Sequence, residues 1–99
     1  MVRWTRSARI AYGKFPEAIK WAKEITEFIN KKYKNQTTVY IDSFGEYGMI
    51  RWFADYKDLA AVEKLGNQIL ADQEYRQKVN QATELLIQGS IFDVVMQAF

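Results

Sequence analysis

Apolar and polar residues alternate at period two over residues 2–12, with Val2, Trp4, Ala8, Ile10 and Tyr12 on one side and Arg3, Thr5, Ser7 and Arg9 on the other. Successive side chains leave a strand on opposite faces, so this pattern predicts a strand. Arg6 interrupts the apolar side; either pairing starts beyond it or its aliphatic stem carries the charge out to water. Gly13 and Lys14 make the turn, and Pro16 suits a first helical position, where its missing N–H is no loss. To about Tyr33 the apolar spacing then becomes helical: Ala18, Ala22, Ile25, Ile29 and Tyr33 form one stripe, widened by Trp21 and Phe28. Glu17 near the start and Lys31, Lys32 and Lys34 near the end suit the helix dipole, which accounts for the lysine cluster without a ligand.

Period two returns over residues 37–44 and 48–54, two strands joined through Gly45-Glu46-Tyr47-Gly48, whose glycines allow the positive φ of tight turns. With Glu46 and Tyr47 as the turn, Asp42 falls opposite Arg51; with Gly45 and Glu46, Asp42 faces Met49 and lies diagonal to Arg51. The two registers differ by two residues, so both place Asp42 and Arg51 on one face. Asp55 is the expected cap of the next helix, with Asp58 completing a capping box, and Leu59, Val62, Leu65 and Ile69 give its apolar stripe. Gly66 weakens that helix, and Asp72 reads as a fresh cap, so a bend is expected near Ala71 before Tyr75, Val79, Ala82 and Leu86 recur at helical spacing. Gly89 ends the helical region. SIFDVVMQAF is a last strand, with Phe92, Val94, Met96 and Ala98 on one side and Ile91, Asp93, Val95, Gln97 and Phe99 on the other.

The order strand, helix, strand, strand, helix, strand is the ferredoxin-like βαββαβ pattern of an α+β fold. Right-handed crossovers put both helices on one face of a four-stranded antiparallel sheet. Trp4, Ala8, Ile10, Val39, Ile41, Ile50, Trp52, Phe92, Val94 and Met96 are expected to meet the helices. The opposite face then gathers Thr5, Ser7, Arg9, Thr38, Tyr40, Asp42, Met49, Arg51, Phe53, Ile91, Asp93 and Val95. Leaving its apolar members in water forgoes about 1.5 to 3 kcal/mol for each that could be fully buried, whereas covering its charges unpaired costs several kcal/mol per ion. Opposite charges gathered under a second copy of the same sheet meet both demands, and symmetric dimers are the commonest oligomers. The sheet face is therefore expected to form a homodimer.

Composition narrows the chemistry more than it suggests any. The 99 residues, spanning 1–99, suit one domain, and 14 basic against 12 acidic residues leave a net charge of +2, too small to imply nucleic acid or membrane. Cysteine and histidine are both absent, which removes disulfides, thiolate zinc sites and Ser-His-Asp or Cys-His catalysis. No run approaches a membrane span and Met1 to Lys14 lacks an apolar leader, so cytoplasm is the default expectation.

The segments DSFGEYG, MIRWFADYKDLAAVEKLGNQILADQEYRQKV and GSIFDVVMQAF resemble the NIPSNAP-like branch of the dimeric α+β-barrel superfamily, and the resemblance covers nearly the whole chain. It implies two ferredoxin-like sheets paired face to face as a homodimer, with room for a cavity between sheets and helices. The superfamily also contains haem-degrading enzymes, isomerases and oxygenases that need no metal or cofactor; the histidine used around haem is missing here.

Arg9, Tyr40, Asp42, Arg51 and Asp93 are the candidate ligand-binding residues. In a functional reading, arginine forks hold an anionic or carbonyl group while Asp42 or Asp93 orients them or acts as a base. In a structural reading, the same residues form an interfacial ion-pair set that fixes register and partner. No catalytic residue is singled out and no cofactor is implied. Two carboxylates beside arginines make a poor metal site, because hard cations want more oxygen ligands. An RNA-recognition module shares the fold, but only Tyr40 and Phe53 are placed for base stacking on the open sheet, so no nucleic-acid partner is expected. The expected function is a scaffold or small-ligand-binding domain, the alternative a cofactor-independent oxygenase or isomerase.

Overall fold

In the computed structural model, which describes residues 1–99, strand β1 (Val2–Arg9) lies inside a four-stranded sheet. Helix α1 (Phe15–Tyr33) follows, then β2 (Thr38–Ile41), β3 (Met49–Tyr56), α2 (Leu59–Leu70), α3 (Gln73–Asn80) and β4 (Phe92–Gln97). The sheet order is β2-β3-β1-β4 with every neighbouring pair antiparallel. This is the ferredoxin-like arrangement expected from the pattern.

The core lies where β1 and β3 meet α1. Ala8, Ile50 and Trp52 from the sheet pack with Ala18, Trp21, Ala22 and Ile25 of α1, and Ala82 and Leu86 close the cluster beyond α3. Pro16 stands in the first turn of α1, and Lys34, at φ 51, turns the chain out of it with its N–H bonded to the Asn30 carbonyl. A left-handed residue at this position satisfies a carbonyl that the helix end would otherwise leave unpaired.

Four expectations need correction. Asp55 does not cap α2; it lies in β3 opposite Arg3 and pairs with it at 2.8 and 3.0 Å, while Asp58 is the cap, accepting from the Ala61 N–H. The second helical region breaks at Asp72 as expected, but α3 stops at Asn80, and Leu86 instead bridges to Ile10. Met49, placed on the open face by register, is already buried within the single chain: its partner Arg9 donates to the Tyr47 carbonyl at 3.1 Å and pairs with Glu46, so the β2–β3 loop folds over that end.

The fourth correction inverts β4. Its register sets Asp93 opposite Arg6 and Val95 opposite Trp4, so Ile91, Asp93 and Val95 face the helices. Phe92, Val94 and Met96 lie opposite Ser7, Thr5 and Arg3 on the open face. Both phases of this strand are rich in apolar residues, so counting them cannot choose between the phases. The choice falls to Arg6, whose charge on the helix side requires a carboxylate beside it.

Candidate functional site

Between the helix side of the sheet and the three helices lies a cavity of about 390 Å³, and 17 of its 23 lining residues are hydrophobic. Alternation along β1 delivers Trp4, Arg6 and Ala8 to its floor, and β4 delivers Ile91, Asp93 and Val95. Helical spacing along α2 delivers Val62, Leu65, Gly66 and Ile69 to its roof. Helix α2 contains no buried residue, whereas α1 contains five. The roof is thus laid over the cavity without being sunk into the core.

The cavity's only charged residues are Arg6 and Asp93. They form a two-pronged pair, Nε to Oδ1 at 2.7 Å and Nη2 to Oδ2 at 2.8 Å, with 35% and 40% of their side chains exposed. The indole N–H of Trp4 reaches Asp93 Oδ2 at 3.4 Å, and the Arg6 guanidinium sits 5.4 Å over the Trp4 ring. Burial pushes the Asp93 carboxyl up, but the Arg6 hydrogen bond and charge and the Trp4 N–H outweigh it and hold it below the usual carboxylate range. Arg6 is raised by its bond to Asp93 against an opposing desolvation, with the Tyr75 hydroxyl contributing.

The other two cavity tryptophans have their N–H groups tied off. Trp21 donates to the Lys78 carbonyl at 2.8 Å, and Trp52 donates to Thr26 Oγ1 at 3.0 Å, which itself donates to the Ala22 carbonyl at 2.7 Å. Their rings meet edge to face with centroids 6.2 Å apart. With their polar atoms satisfied, these side chains offer the cavity ring surface.

The five residues singled out in the sequence do not converge. Asp93 lines the cavity, while Arg9, Tyr40, Asp42 and Arg51 belong to the opposite face of the sheet. There Arg51 clasps Asp42 at 2.8 and 3.0 Å, the diagonal pairing allowed by one of the two registers, and that bond holds the Asp42 carboxyl low despite burial. Tyr40 packs edge-on against Phe53 at 5.4 Å, and Arg9 is committed to Glu46 and Tyr47. Asp42 and Asp93, on opposite faces, cannot share a metal ion. Arg6 was missed as a site residue because it looked like a defect in an apolar strand face. That break was itself the signal, a charge that needs a path to water or a partner on the neighbouring strand, and Arg6 has both.

The open face carries these ion pairs among exposed apolar side chains: Phe92 is 66%, Tyr40 54%, Met96 45% and Val94 36% exposed. No helix is long and apolar enough to cross a membrane.

A family model described as NIPSNAP matches residues 5–98. A solved NIPSNAP domain protein from Burkholderia xenovorans is similar over 100% of this chain and 95% of its own, at 18% identity and a TM-score of 0.84. A NIPSNAP family protein from Agrobacterium tumefaciens is similar over 99% and 92%, at 16% identity and a TM-score of 0.84. A solved antibiotic biosynthesis monooxygenase is similar over 100% and 99%, at 14% identity and a TM-score of 0.74. At these identities the likeness to solved structures shows the fold. No curated protein matches the sequence.

Proposed function

Because the chain belongs to the NIPSNAP family, we propose that it is a homodimer closed through the open sheet faces, each protomer holding a small organic ligand between its sheet and its helices. The observation that carries the ligand reading is the cavity of about 390 Å³ with apolar walls and a single ion pair on its floor. Ligand sites have this form, mostly apolar lining with a few placed polar groups. The open face supports the dimer: Phe92, Val94 and Met96 are exposed together, and the charges around them are already paired within the protomer, so a second sheet covers them without stranding an ion. On this reading Arg9, Tyr40, Asp42 and Arg51 serve the dimer face, and of the five candidates only Asp93 meets the ligand.

A catalytic version draws on the solved monooxygenase of the same fold. Oxygenation or isomerisation without a cofactor would need a base, and Asp93, the one carboxylate on the cavity wall, would have to be released from Arg6 to serve as one.

Native mass spectrometry of the freshly purified protein tests both halves. The expected ion is twice the 11.6 kDa chain, carrying one adduct per protomer that is shed on denaturation. A bare monomer, before and after incubation with a small-molecule library, would overturn the proposal.

A further inference from the structure

We infer that the ligand is an uncharged, planar ring compound carrying a hydrogen-bond acceptor such as a ketone oxygen at its edge. This rests on the cavity being a ligand site and adds the class of molecule it takes.

The argument begins with charge. Arg6 and Asp93 are the only charged residues lining the cavity and they neutralise one another. An anionic group placed within reach of the guanidinium also lies beside the Asp93 carboxylate, and a cationic group beside Asp93 meets Arg6. The walls offer neither charge a counter-ion of its own, and although Arg6 and Asp93 are 35% and 40% exposed, an ion seated beside them gives up part of its hydration with no partner in return.

Hydrogen bonding then sets the polarity of the group. Asp93 already accepts from Arg6 Nε, Arg6 Nη2 and the Trp4 indole, so its acceptor capacity is largely used. The clasp on Asp93 uses Arg6 Nε and Nη2 and leaves Nη1 outside it, on a side chain that lines the cavity. The Tyr75 hydroxyl stands beside the same guanidinium. The polar spot on the floor is therefore a donor in search of an acceptor.

Shape follows from the tryptophans. Trp4, Trp21 and Trp52 all line the cavity, and each spends its one N–H on the protein. What they offer is indole ring carbon, most of it on Trp4, since Trp21 and Trp52 are only 8% and 6% exposed, and ring carbon favours stacked or edge-on rings.

Three naphthalenes of nearly equal shape test this by calorimetric titration of the intact protein at neutral pH: 2-acetonaphthone, 2-naphthoate and 2-isopropylnaphthalene. The ketone is expected to bind about tenfold or more tighter than the carboxylate, which is ionised at that pH. It is also expected to bind about fivefold or more tighter than the hydrocarbon, which cannot accept a bond from Arg6. In the double variant Arg6→Met, Asp93→Leu the ketone's advantage over the hydrocarbon should vanish while the hydrocarbon still binds. Naphthoate binding as tightly as the ketone, or hydrocarbon binding as tightly as the ketone, overturns the assigned class while leaving the cavity a ligand site. Failure of all three to bind the native protein overturns the cavity reading itself.

Discussion

Asp72 ties the start of α3 to the end of α1 with one carboxylate. Its Oδ1 accepts from the Glu74 and Tyr75 N–H groups at 2.9 and 3.2 Å, capping α3, while Oδ2 takes the Lys32 ammonium at 2.8 Å and the Tyr33 hydroxyl from the end of α1. The Lys32 and Tyr33 bonds outweigh desolvation and hold this carboxyl far below the usual carboxylate range. A carboxyl whose folded value lies below its unfolded value of about 4 stabilises fully above that pH and loses the contribution as pH falls toward the folded value. Asp72→Asn keeps a good cap, because asparagine caps about as well as aspartate, but gives up the charge. In urea unfolding the variant should be less stable than the native chain near neutral pH, with the gap closing progressively below about pH 4. A gap unchanged by acid would show that the charge contributes nothing. The cap was legible in the sequence from Asp72 and the helical spacing after it. Its link to Lys32 was not, since a lysine at a helix end is explained by the dipole alone.

Among the elements, those with one apolar phase were readable and those with two were not. In β1 and β3 the helix-facing positions Trp4, Ala8, Ile50 and Trp52 outweigh anything on the other side, and they were placed correctly. In β4 the two phases compete, Ile91 and Val95 against Phe92, Val94 and Met96, and a shift of one residue exchanges the faces. Only tertiary pairing with Arg6 decides. The candidate site suffered for the same reason, since Asp93 was grouped with residues on the far side of the sheet. Helix α2 was legible but its lack of buried residues was not, because an amphipathic stripe reads the same whether it is sunk in a core or laid over a hollow. With no buried residue against the five in α1, α2 should exchange its hydrogen-bonded amides about tenfold or more faster than α1. Hydrogen-exchange mass spectrometry of peptides covering each helix measures this, and ligand in the cavity should slow α2 selectively. Equal protection of the two helices in the empty protein would refute the assignment of α2 as a loosely held roof.

For the molecule as a whole, inverting β4 strengthens the argument for a second copy. The open face loses Asp93 and gains Phe92, Val94 and Met96, so it is more apolar than the sequence pattern suggested and all three side chains are exposed. Val94, at 36% exposure, lies opposite Thr5, and its diagonal neighbour Arg3 is already committed to Asp55. A charge there would be buried without a partner in the dimer and solvated in the monomer. Val94→Lys should therefore leave the circular dichroism spectrum intact while weakening dimerisation about a hundredfold or more in sedimentation; an unchanged dissociation constant would place the interface elsewhere. Gly66 sets a different tension. It stands midway along α2 on the side that roofs the hollow, and a Cβ there would meet nothing within 4 Å. A side chain is thus omitted where one would fit, in a helix that glycine weakens by about 1 kcal/mol relative to alanine. Helix strength and free volume are set against each other at that one backbone atom: a methyl group on it would stiffen the roof and fill part of the hollow beneath.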